Sequence, residues 1–174
     1  MTYDEREPRA RFEERRGERG PVGRVRRREI MATAIEENKE LVGRVNDGLN
    51  DQSREAFVDL HTEDVVVHDG GEEIRGIDAA VAHEEAIWHG FPDLHHTLAD
   101  VLAEGDLVAY RFTAAGTHEG AFHGIEPTGR SVEITGLGIA RIAGDEIAEV
   151  WLNYDALGLM RQLGVVGSPE PPHE

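Results

Sequence analysis

Four runs of sequence decide the fold: LHHTLADVLA (94–103), LVAYRFTAAGT (107–117), VEITGLGIARI (132–142) and IAEVWLNYD (147–155). Each interleaves apolar and polar residues at the short spacing of a strand. Two of the joints between them, Glu104-Gly105-Asp106 and Ala143-Gly144-Asp145, are tight-turn sequences. Four long strands connected in this way predict an antiparallel meander. A sheet of that length must curve around whatever it packs on, and Gly116, Gly136 and Gly138, inside strand patterns, are the expected bending points.

Upstream the texture is helical. Ile35, Leu41, Val42, Val45 and Leu49 recur near helical spacing and predict one amphipathic helix over 30–50. Asp51-Gln52-Ser53 then caps a short helix carrying Ala56, Phe57 and Leu60. Val65-Val66-Val67-His68 reads as a strand and Asp69-Gly70-Gly71 as a turn. In a third helix Ile77, Val81, Ala82, Ile87 and Trp88 face one side, which leaves His83, Glu84 and His89 for the surface. Residues 156–163 form a closing helix. Helices first and a meander afterwards define an α+β fold, a cone-shaped curved antiparallel sheet wrapped around N-terminal helices with an open mouth. The domain is expected over 30–165, between a disordered extension at 1–29 and a disordered tail at 166–174.

Composition narrows the function. The 174 residues hold 35 Asp and Glu against 18 Lys and Arg, for a net charge of -17, and no cysteine. Without cysteine there is no disulfide framework, thiolate nucleophile, iron–sulfur cluster or Cys-type zinc site. No segment approaches the ~20 apolar residues of a membrane span, so a soluble, cytoplasmic protein without a membrane partner is expected. Such an acidic chain is a poor partner for nucleic acid. The imbalance is uneven: residues 1–29 carry ten Arg and seven acids, whereas 30–174 carry 8 cations and 28 acids, and Lys39 is the only lysine. A densely acidic, lysine-poor surface suits concentrated salt and points to a halophilic cytoplasm. The Arg24, Arg26, Arg27 and Arg28 run reads as a solvated tail, and Met31 opens a clean domain start.

Five further segments carry a family likeness: Phe91-Pro92-Asp93-Leu94-His95, Ala103-Glu104-Gly105-Asp106, Gly116-Thr117-His118-Glu119-Gly120, Pro127-Thr128-Gly129-Arg130, and Trp151 through Asp155-Ala156-Leu157-Gly158-Leu159-Met160-Arg161-Gln162-Leu163-Gly164. In that order, over roughly 33–165, they resemble the SnoaL-like polyketide cyclase (ester cyclase) family of the nuclear transport factor 2-like, cystatin-like superfamily. The resemblance implies a cone-shaped pocket, no cofactor, no metal and a homodimer formed on the outer sheet face. It also implies that Asp155 acts as acid/base in an aldol-type ring closure.

The residues themselves support a parallel reading. Alternation puts Glu149, Trp151, Asn153 and Asp155 on one face of the last strand. A carboxylate walled in by Trp and Leu would have its pKa raised toward neutrality, where it can take and return a proton. Asp155 is therefore either the general acid/base or the cap of the closing helix. Asn153 is the candidate donor to a developing oxyanion, and Trp151 the pocket wall. His118, at the end of its strand, either assists proton transfer or is a surface histidine that fixes a turn. His68 and Arg111 are weaker candidates for polarity in the pocket, and Arg111 alternatively pairs with an acid outside. His95-His96 point to opposite faces, and His118 with His123 lacks the helical spacing of a zinc motif. The expected function is acid/base chemistry on a small carbonyl-bearing apolar molecule. The alternatives are a non-catalytic ligand-binding or dimerisation module, or isomerase or hydrolase chemistry on the same scaffold.

Overall fold

Gly105 and Gly144 take φ values of 62° and 69°, the left-handed conformation that two-residue hairpins need and glycine adopts freely. Gly105 joins β3 (His95–Glu104) to β4 (Leu107–Thr117), and Gly144 joins β5 (Ser131–Ala143) to β6 (Glu146–Tyr154). The computed structural model describes residues 21–167, with side chains from 29 onward. Before the meander come α1 (Pro21–Asn50), α2 (Arg54–Asp59), β1 (His61–Asp69), β2 (Glu72–Arg75) and α3 (Ile77–Gly90), and after it α4 (Ala156–Leu163). The four meander strands lie within two residues of their predicted bounds.

One curved, unclosed sheet has the order β2-β1-β6-β5-β4-β3. Two features depart from the sequence reading. The Asp69-Gly70-Gly71 turn is the head of a hairpin, because Glu72–Arg75 pairs back on β1. The sheet is also not wholly antiparallel, since β6 enters beside β1 in the same direction. That pairing joins segments about 80 residues apart, and no turn sequence reports it.

The first helix begins at Pro21, so residues 21–29 of the segment expected to be disordered are helical. The rest of that segment, 1–20, and the tail residues 168–174 lie outside the described residues. Polar side chains hold α1 along β3. Asn38 Nδ2 donates to the Gly105 carbonyl at 3.0 Å. At the other end Asn50 brackets His96, accepting its backbone N–H at 2.7 Å and donating to its carbonyl at 2.9 Å.

Gly136 and Gly138 make room for aromatic rings. They stand opposite Phe112 and Tyr110 on β4, and a Cβ at either would fall within 2.4 Å of the facing ring. The glycines thus seat two rings across the strand pair. Leu137 and Ile139, which alternate with the two glycines, point outward, 61% and 42% exposed.

Two apolar clusters hold the layers together. One joins α1, α2 and α3 to the sheet through Leu41, Phe57, Val65, Val81 and Val108. The other gathers Phe91, Phe122, Val132, Leu159 and Leu163 under α4. Gln162 fastens that helix to β5 by donating to the Glu133 carbonyl and accepting the Glu133 N–H, both at 2.9 Å.

Candidate active site

A cavity of about 160 Å³ opens between the helices and the sheet, and residues of both clusters line it. Most of its wall is apolar. β6 contributes Val150, Leu152 and Tyr154, and β4 contributes Tyr110, Phe112 and Ala114. The face of β6 that looks inward is therefore the opposite of the expected one. Alternation separates two faces but does not say which is inside, and on this strand both carry large residues.

None of the six residues singled out from sequence lines the cavity. Asp155 is exposed and caps α4, its Oδ1 accepting the Gly158 N–H at 2.8 Å. Asn153 is exposed on the outer face, next to Leu137 of β5. Trp151 lies on that face too, with His68 stacked on one ring face at 5.5 Å between centroids and the Arg141 guanidinium 5.4 Å from its centroid. His68 Nε2 contacts Glu149 at 2.9 Å, and hydrogen bonds from His68 and Arg141 hold the Glu149 carboxyl below its ordinary range. Arg111 pairs with Asp100 at 2.7 Å, the outer-face alternative. His118 is fully buried, not a surface residue. Its Nδ1 accepts the Thr128 N–H at 3.2 Å, which fixes the loop between β4 and β5. His68, Trp151 and Glu149 thus form one outer-face group, and the other candidates lie apart from it.

The polar groups that do reach the cavity come from other segments. Asp69 ends β1 at the hairpin, and His83 and Glu84 sit in the second turn of α3. His83 Nε2 lies 3.1 Å from Asp69 Oδ2. A carboxylate only accepts, so Nε2 carries a proton, and in the neutral imidazole Nδ1 keeps its lone pair. The hydrogen bond to Asp69 raises the His83 pKa, and the nearby Glu84 adds to it. Glu84 makes no side-chain hydrogen bond among the described residues. Burial is the main reason that its pKa rises to about 7. Two phenols complete the group: burial raises Tyr110, with the Glu84 charge contributing, and also raises Tyr154, with Asp69 contributing. On another part of the wall His96 is held neutral, burial lowering its pKa to about 4. His123, at φ 48°, is the one exposed residue of the lining and marks the mouth.

The spacing of α3 contained the missed signal. Glu84 follows Val81 by three residues and precedes Trp88 by four, and both of those are buried. An acid thus occupies an inward helical position, whereas Ala82, assigned there from sequence, is exposed. Asp69 offered no comparable signal, because Asp-Gly-Gly reads first as a turn. Among the described residues no group of three or more His, Asp or Glu side chains is arranged to hold a metal ion. No described helix is long and apolar enough to cross a membrane.

A half-open sheet closed by helices over an apolar cavity, with a few ionisable groups gathered at one part of its wall, is the nuclear transport factor 2-like α+β cone. Within that class the chain belongs to the SnoaL-like polyketide cyclase family, whose model matches residues 39–163. Solved structures agree. A candidate SnoaL-like polyketide cyclase from Jannaschia sp. CCS1 is 25% identical with a TM-score of 0.70, covering 77% of this chain and 94% of its own. AclR, a candidate hydroxylase from Streptomyces galilaeus, is 26% identical with a TM-score of 0.71, over 78% and 86%. IdmH, a candidate polyketide cyclase from Streptomyces antibioticus, is 30% identical with a TM-score of 0.65, over 73% and 98%. A comparison with curated proteins finds no match.

Proposed function

We propose that this protein performs cofactor-independent acid/base chemistry on a small carbonyl compound held in the cavity, of the aldol-cyclisation or isomerisation type. The observation that carries this reading is the Asp69–His83 hydrogen bond in the cavity wall. It supplies an oriented imidazole with one nitrogen free, the arrangement of a general base positioned by a carboxylate. His83 Nδ1 takes a proton from the carbon next to the carbonyl. The C–H bond breaks, an N–H bond forms, and the electron pair moves onto the carbonyl oxygen as an enolate. In a cyclisation the enolate carbon then attacks a second carbonyl carbon, and the new oxyanion takes a proton. In an isomerisation His83 returns its proton to a different carbon. Glu84, poised near neutrality, is the nearby acid for the oxygen. The family membership and the likeness to IdmH, a candidate cyclase by name, support the cyclase side of this reading.

The test uses cyclohexanone in D₂O, with loss of its α-protons followed by NMR. Wild type should accelerate the exchange, and His83→Gln should slow it by about a hundredfold or more. A wild type that binds cyclohexanone without accelerating exchange would instead make the protein a ligand-binding module.

A further inference from the structure

Glu84 and Tyr110 are two polar groups of the cavity wall that make no side-chain hydrogen bond among the described residues. The Tyr110 ring is pressed against β5 where Gly138 has no side chain: a Cβ there would fall 2.3 Å from Cζ and 2.5 Å from the hydroxyl oxygen. The phenol is therefore fixed in direction by its strand and by the glycine opposite. Its hydroxyl makes no hydrogen bond among the described residues, yet it is not one of the polar atoms sealed from solvent. The cavity it lines is the space left for it. The same holds for the Glu84 carboxyl, which reaches that wall from α3. The two are close enough for the Glu84 charge to act on the Tyr110 phenol. Asp69 Oδ1, by contrast, is sealed from solvent and has no partner. Both groups open to the cavity, so an apolar ligand that displaced water from them would leave them unpaired at a cost, whereas a ligand oxygen would pair them.

We infer that Glu84 and Tyr110 form an oxygen-binding pair within the cavity, selecting single-ring ligands that carry an enol, phenol or enolisable carbonyl oxygen. The ring size follows from the volume: about 160 Å³ is close to the ~150 Å³ known to take up benzene in an engineered cavity. Larger molecules would place one ring inside and leave the rest at the mouth beside His123. The inference rests on the cavity being the reaction site, and it adds the part of the substrate that is recognised: the oxygen goes to α3 and β4, while the carbon-bound proton goes to His83.

Calorimetric titration with phenol and with toluene tests this. The two share ring and heavy-atom count and differ in the hydroxyl. Wild type should prefer phenol, and Tyr110→Phe and Glu84→Leu should each cut phenol affinity by about tenfold while leaving toluene unchanged. Glu84→Gln, which keeps a donor, should restore phenol binding to within about threefold. Tyr110→Phe is nearly isosteric, so the result does not hinge on a variant that misfolds. Equal losses for phenol and toluene, or no loss for phenol, would overturn the pair. If phenol binding is unaffected while His83→Gln still abolishes exchange, the donor pair falls and the proton-transfer reading stands. If phenol binding depends on both residues while His83→Gln exchanges like wild type, the pair stands without that base.

Discussion

Glu84 is the residue at which burial and chemistry meet. Its carboxyl ordinarily titrates at 4.5 and in the folded chain at about 7. Between those values the folded chain holds a proton that the unfolded chain has released, so the contribution of Glu84 to stability is present below pH 4.5 and is lost as pH rises to 7. His96 has the opposite sense: its folded value of about 4 lies below the ordinary 6.5, so its contribution is present above 6.5 and is lost as pH falls toward 4. Glu84→Gln removes the first effect and leaves the second. The stability of this variant relative to wild type should climb from pH 4.5 to 7 in denaturant titrations; an offset independent of pH would contradict the burial of Glu84. This residue was legible in principle, because an acid between Val81 and Trp88 breaks an apolar helical stripe. Asp155 was legible in the other direction, since an Asp immediately before a helix is first of all a cap.

At the scale of elements, local signals read well and non-local ones did not. Turn glycines and alternation marked the four meander strands closely, because hairpin geometry is written in adjacent residues. The β2 hairpin strand and the parallel β1–β6 pair escaped, since each depends on which segments meet across the sheet. The inward face of β6 escaped for a related reason. Trp151 looked like pocket wall, yet His68 and Arg141 cover it on the outside. Gly138 tests the account of the β4–β5 pair. Gly138→Ala should force the Tyr110 ring to move and cost about 1–3 kcal/mol of stability, measured by chemical denaturation. A cost under ~0.5 kcal/mol would mean that the ring shifts freely and is not held in place by the glycine.

For the whole molecule the acid excess concerns solvent and self-association. The outer sheet face exposes Leu102, Leu137 and Ile139, an apolar stripe on which we propose a homodimer contact. A net charge of -17 makes copies repel one another, and the repulsion is screened as the Debye length shrinks from ~10 Å at 0.1 M salt to ~3 Å at 1 M. Sedimentation should therefore give mainly dimer in 2 M KCl and a shift toward monomer in 0.1 M. A monomer at both concentrations would contradict the proposed interface, and an equally tight dimer at both would contradict the proposed adaptation to salt.

Two aspartates have a claim to the chemistry: Asp69, which orients His83 from the end of β1 in the cavity wall, and Asp155, at the start of α4. Exchange of the α-protons of cyclohexanone, measured side by side for wild type, Asp69→Asn and Asp155→Ala, decides between them. Asp69→Asn should slow exchange by about a hundredfold or more while the fold stays intact, because His83 loses the acceptor that orients it. Asp155→Ala should exchange at the wild-type rate and lose only about 1 kcal/mol of stability, the value of a helix cap. The reverse pattern, exchange kept without Asp69 and lost without Asp155, would contradict the placement of the chemistry in the cavity wall.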